Sequence, residues 1–188
     1  MSDETRAVPD RARLEEWMAT QVLPDEDDAA LWCCRVLYRP SYLHELVLLL
    51  KRDTSGLTLR VAVALASWSR HADALLKLQE GQSPPAAPPV YRATIQVEEE
   101  EFEGLKKLWR TSLYAAPGIA PAAVRTTRVT WWVHFEGEGV DQRSHTYPLS
   151  AGAEAAADLA RGLLEFVVSK SGDPIIAERA GQTLDYLA

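Results

Sequence analysis

Cysteine is nearly absent: the chain holds two, side by side at Cys33 and Cys34. Neighbouring strand residues point to opposite faces, so a bridge between them needs a strained turn, and the C-x-x-C spacing of redox and zinc motifs is missing. A disulfide framework is therefore excluded. Two free thiols, one a small buried hydrophobe and the other half exposed, fit a reducing cytoplasm. Long apolar runs are missing too. No stretch reaches the roughly 18 consecutive apolar residues of a membrane span, and the opening MSDETRAVPD has neither the basic nor the apolar part of a secretory signal. There is no G-x-x-x-x-G-K-S/T, no G-x-G-x-x-G after a strand, no H-E-x-x-H and no G-x-S-x-G, which removes the commonest nucleotide, zinc and serine-nucleophile signatures.

Positive charge is also short, with 20 Lys and Arg against 27 Asp and Glu. The deficit is local. Residues 1–28 carry nine acids and three Arg, a sum of -6, which leaves only -1 of the total -7 for the rest of the chain. Phosphate neutralisation supplies most non-specific nucleic-acid affinity, and no basic stripe is visible, so neither DNA nor RNA is an expected partner. Arg outnumbers Lys 15 to 5 and Ala-Pro tracts recur, the residue usage of a GC-rich bacterial genome.

What remains is ordinary globular material: 188 residues, 47% hydrophobic and 25% charged, enough for one domain with a core of its own. A first helix is expected from Asp10 as cap through Leu14, Trp17, Met18 and Val22, ended by Pro24 and the solvated acids Asp25–Asp28. Leu31–Tyr38 reads as a strand, closed by Arg39-Pro40. The turn signal Asp53-Thr54-Ser55-Gly56 then sits between two apolar runs. A hairpin there puts Leu46, Leu48 and Leu50 on one face with Leu57, Leu59, Val61, Val63 and Leu65. Its other face carries Thr58, Arg60, Ala62 and Ala64, small enough to accept a helix. Residues 42–52 fit a helical period as well, and periodicity alone does not separate the two. A short helix capped by Ser69 and stopped by Gly81 follows, with His71 solvated beside the cap.

Residues 81–90, with Pro84, Pro85, Pro88 and Pro89, form a stiff loop or spacer. They leave 1–188 as one domain, or split it into lobes 1–80 and 90–188. Beyond them come a strand at Val90–Val97, an acid-led helix with Phe102, Leu105, Trp109 and Leu113 inward, and a loop at 114–127. A second hairpin, an alanine-rich helix capped by Ser150, and a last helix begun by Asp173-Pro174 complete the chain. Adjacent strands with helices between them predict an α+β fold, with mainly antiparallel sheet flanked by about five helices, in one sheet or two.

The second hairpin carries the candidate site. With Gly139-Val140 as a two-residue turn, His134 faces His145, Glu136 faces Arg143 and Trp132 faces Tyr147, all on one side, with Trp131, Val133 and Phe135 on the other. Trp, Tyr and Arg dominate binding hot spots, so Trp132, His134, Glu136, Arg143, His145 and Tyr147 are expected to hold a partner. Two imidazoles and a carboxylate also resemble a metal set, but Arg143 repels a cation and a fourth ligand is missing, so no metal or other cofactor is expected. The functional expectation is a non-enzymatic binding or regulatory protein, for which an inhibitor or immunity-like role on a basic protein is one concrete form. The alternative is a small enzyme, with or without a metal, centred on the 131–148 hairpin.

Overall fold

A computed structural model describes residues 13–24, 31–54, 56–79, 82–115, 129–136, 140–147 and 154–188. The expected roles of Asp10, Asp25–Asp28, Gly81 and Ser150, and the loop beyond residue 115, lie outside the described residues.

Among the described residues, five helices and six strands follow the order α1 (Leu14–Val22), β1 (Trp32–Pro40), β2 (Leu46–Asp53), β3 (Gly56–Ala64), α2 (Trp68–Leu76), β4 (Val90–Gln96), α3 (Glu99–Ala115), β5 (Val129–Glu136), β6 (Val140–Tyr147), α4 (Glu154–Lys170) and α5 (Pro174–Asp185). The strands form one antiparallel sheet, ordered β4-β3-β2-β1-β5-β6. This is the α+β architecture read from the sequence, with a single sheet. Strands β1 to β4 are a meander, and the chain returns through α3 to place β5 on the free side of β1. The segment at 82–89 separates β3 from β4 in sequence, yet the two strands pair along their length.

The first hairpin has the expected register. Leu46 pairs with Val63, Leu48 with Val61 and Leu50 with Leu59, and all six are buried. Gly56 takes φ +136° where β3 leaves the turn, a conformation that L side chains rarely adopt. The face of these leucines packs under α3, α4 and α5, with Phe102, Trp109, Leu159, Leu163, Val167 and Ile176 buried in one cluster. On the opposite face, Ala62 and Ala64 lie with Val47, Leu49 and Leu37 beneath Met18, Ala19, Val22 and Trp68 of α1 and α2. The small side chains do admit helices there.

Strand β1 lies inside the sheet with both faces covered, which is why its sequence shows no alternation. Cys33 belongs to the α1/α2 cluster and Cys34 to the other. Both thiols are buried and neither is in a disulfide, so the expected half-exposed cysteine is corrected: strand neighbours reach opposite faces, and here each face is a core. At the described start of α1, Arg13 precedes Leu14 with no side-chain cap. Two further local expectations change. Ser67 rather than Ser69 caps α2, accepting from the Arg70 N–H. His71 is not solvated but half buried, its ring stacked on Trp17 at 6.4 Å and edge-on to Trp68 at 5.2 Å. The C-terminal helices follow expectation. Asp173 caps α5 by accepting from the N–H groups of Ile175 and Ile176, with Pro174 beginning the helix. Gly162 of α4 lets α3 approach, since a Cβ there would stand 2.7 Å from Leu108 Cδ2.

Candidate functional site

Pro40 ends β1 and Leu46 begins β2, leaving Ser41–Glu45 as the connection at one end of the sheet. Its last residue, Glu45, is 3% exposed although it carries a carboxylate. The cost of burial is met by the first turn of α2. Glu45 Oε2 accepts from the Trp68 N–H at 2.9 Å, and Oε1 accepts from the Ser69 N–H at 2.8 Å and from the Ser69 hydroxyl. A helix N-terminus has orphan N–H groups and a positive dipole end, so a carboxylate satisfies both needs at once. The Glu45 carbonyl also accepts from Ala64 N–H at 2.9 Å, tying the connection to the end of β3. This anchor holds the rest of Ser41–His44 outward.

A cleft of about 570 Å³ opens on the α2 side of the connection, lined by Arg39, His44, Ser67, Ser69, Arg70 and Thr130 among others. Arg39 Nη1 donates to Glu15 of α1 at 3.1 Å. Arg70 is exposed and has no ion-pair partner among the described residues. On the α5 side lies a smaller hollow of about 270 Å³, lined by Leu43, Gln182, Asp185 and Tyr186. Tyr42 stands above these hollows, 84% exposed, its ring 6.4 Å from that of Tyr186. The result is an aromatic ridge with a polar, arginine-bearing hollow on one flank and a smaller one on the other. Ser69 has its hydroxyl on Glu45, but that carboxylate is engaged by two helix N–H groups, and His44 makes no hydrogen bond to either.

The hairpin singled out from the sequence is built differently. Glu136 pairs with Val140, Phe135 with Asp141, His134 with Gln142, Trp132 with Ser144 and Trp131 with His145. The connection therefore takes in residues 137–139 rather than a Gly139-Val140 turn. The displacement is an odd number of positions, and an odd slip sends one strand's residues to the other face. Positions 132, 134 and 136 lie beside Leu37, Arg35 and Cys33 of β1, on the α1/α2 face. Positions 143, 145 and 147 pair with Val133, Trp131 and Val129, all three buried in the core of the opposite face. The expected opposition of His134 and His145, Glu136 and Arg143, and Trp132 and Tyr147 is thus corrected. The six fall into two sets of three. His134 is half buried; the side chains of Trp132, Glu136, Arg143, His145 and Tyr147 lie outside the described residues.

The ionisable groups that shift are dispersed rather than gathered in one cleft. Burial pushes the Cys34 thiol up, with Cys33 adding to it and Arg35 opposing, and burial likewise raises the Tyr38 hydroxyl, which donates to the Ala160 carbonyl. At the start of α5, the Tyr91 hydroxyl donates to Asp173 at 2.6 Å; this bond raises Tyr91 and lowers Asp173. Lys170, paired with Glu101, lowers that carboxyl. No group of three metal-ligating side chains is found among the described residues, and no described helix is long and apolar enough to cross a membrane. No protein-family model matches the chain, and no curated protein matches it.

Nothing in the sequence pattern pointed to Tyr42 or Glu45. Tyr42 is a single aromatic in a loop, and the Glu45 contact joins residues far apart in the chain; the nearest available signal was Pro40-Ser41, which marks a break between strands.

Proposed function

We propose that the chain is a non-enzymatic binding protein that works by protein–protein contact, with the Tyr42 ridge as its anchor. The observation that carries this reading is Tyr42 itself: a large aromatic 84% exposed, held beside Tyr186 over two hollows, with Arg70 at the rim. Tyr and Arg supply much of the energy of protein interfaces, and a hollow beside an aromatic receives the partner's own side chain. The net charge of -7 supports a partner with a basic surface, because long-range opposite charge speeds encounter. An inhibitor or immunity-like protein that covers a basic site fits that description. The anchor thus moves from the 131–148 hairpin to the β1–β2 connection, since the hairpin's register does not assemble one patch.

A photo-crosslinking amino acid placed at position 42 in cells of the source organism tests this reading. A defined protein adduct is expected at 42 and not at Leu31, which is 68% exposed at the opposite end of β1. Equal labelling from both positions, or none from 42, would overturn it.

A further inference from the structure

Strand β4 is an edge of the sheet, and its hydrogen bonding shows which backbone groups face outward. Leu65 N–H donates to the Pro89 carbonyl and Val97 N–H to the Leu57 carbonyl, both at the ends of the β3–β4 ladder. Antiparallel pairs alternate between hydrogen-bonded and non-bonded. Tyr91, Ala93 and Ile95 therefore turn their N–H and C=O groups to β3, and Val90, Arg92, Thr94 and Gln96 turn theirs away from the sheet. Edge strands are usually blunted by proline, charged side chains or a bulge. Strand β4 contains no proline and one charge, Arg92, whose Nε donates to the Val22 carbonyl at 3.2 Å; it pairs in unbroken register from Val90 to Gln96 and exposes Arg92, Thr94 and Gln96.

We infer that this edge pairs with the β4 edge of a second copy of the chain, antiparallel about a two-fold axis at Ala93. The outward residues fix that register. Opposing Arg92 to Thr94 and Val90 to Gln96 uses every outward N–H and C=O of the strand, and each such pair makes two hydrogen bonds. A shift of two positions one way sets Arg92 against Arg92 and Gln96 against Pro88, which has no N–H. The same shift the other way sets Val90 against Glu98, whose N–H is already donated to Glu101 at 3.1 Å. Only the central register avoids both faults. It also sets the second copy's Tyr91 opposite Ile95. There a hollow of about 500 Å³ lies between Ala93–Gln96 and the α4–α5 turn, bounded by Glu98, Glu101 and Lys170–Asp173. The interface is isologous, so each Arg92–Thr94 contact occurs twice.

That doubling gives a test with opposite signs. Sedimentation equilibrium of the full chain over a range of concentration is expected to show a monomer–dimer equilibrium. Thr94→Arg sets two arginine pairs face to face and weakens the dimer by roughly 2- to 30-fold in Kd, whereas Thr94→Glu tightens it by a similar factor. Within the chain Thr94 pairs with Arg60 of β3, so Thr94→Arg is expected to lower Tm slightly and Thr94→Glu to raise it by the same cross-strand charge effect, and the dimer constant is read at a temperature where every variant is folded. If either variant folds poorly, Thr94→Pro removes one outward N–H without touching a β3 bond, and it too is expected to weaken the dimer. A chain that stays monomeric at every concentration, or a dimer indifferent to residue 94, would overturn the inference.

Discussion

Glu45→Ala is the most informative single change, because one side chain holds both the β1–β2 connection and the start of α2. It removes the acceptors of the Trp68 N–H, the Ser69 N–H and the Ser69 hydroxyl together. Leaving a buried donor without a partner costs about 1–3 kcal/mol, and the Trp68 side of this contact is buried. Losing a carboxylate at a helix N-terminus adds about 0.3–1 kcal/mol. The half-buried Ser69 end faces the cleft, where water can replace part of what is lost. The sum is about 1–4 kcal/mol. At roughly 2–4 °C per kcal/mol for a domain of this size, Tm falls by about 3–15 °C. Glu45→Gln keeps an acceptor oxygen but turns an amide NH₂ toward one of the donors, so it falls between the two. Denaturant unfolding gives the energies, and hydrogen exchange at the Trp68 and Ser69 amides locates them. An alanine variant within about 0.5 kcal/mol of the parent, with both amides still protected, would show that the carboxylate does not hold this end of the fold.

Three other outcomes follow from the same packing. Val61→Ala, at a fully buried strand position, is expected to cost about 1–3 kcal/mol in urea unfolding, and Ala62→Leu about as much by overpacking beneath α1 and α2; a neutral Ala62→Leu would mean an open face. Because Tyr91 holds the Asp173 carboxyl below its usual range, that group stabilises the fold fully above the ordinary carboxylate range and loses its effect as pH falls through the lowered value. Tyr91→Phe should move the acid loss to higher pH, read by carboxyl NMR titration and by Tm against pH, and an unmoved titration would deny the bond. With Cys33 and Cys34 both buried and the Cys34 thiol pushed up by burial, a thiol reagent should label neither in the native state and both in denaturant; fast native labelling of either would contradict the two-core placement of β1.

Much of the fold was legible because its signals are local and redundant. In the β2–β3 hairpin, the alternation of Leu46, Leu48 and Leu50 and that of Leu59, Val61 and Val63 agree with the turn at Asp53–Gly56, so three independent features select one register. The Asp173-Pro174 start of α5 is equally self-contained. The β5–β6 register was not legible, because Glu136-Gly137-Glu138-Gly139 offers turns of more than one length. Strand residues change face with every odd displacement, so an error in turn length became an error in the site. The exchange of Ser69 for Ser67 as cap has a similar origin: two serines two positions apart suit the role, and Glu45, distant in sequence, takes up Ser69. The candidate site itself was hidden for that reason. Its anchor is a tertiary contact, and nothing in the residues around Tyr42 tells how far a loop will stand from its sheet.

The central claim, that Tyr42 anchors a protein partner, is tested most directly by isothermal titration of Tyr42→Ala and Leu31→Ala against the protein captured at position 42. The Tyr42 variant is expected to keep the parent Tm, since the ring is 84% exposed, and to lose at least about 2 kcal/mol of binding, some 30-fold in Kd. Leu31→Ala should bind as the parent does. Equal affinities for the parent and Tyr42→Ala would contradict the claim.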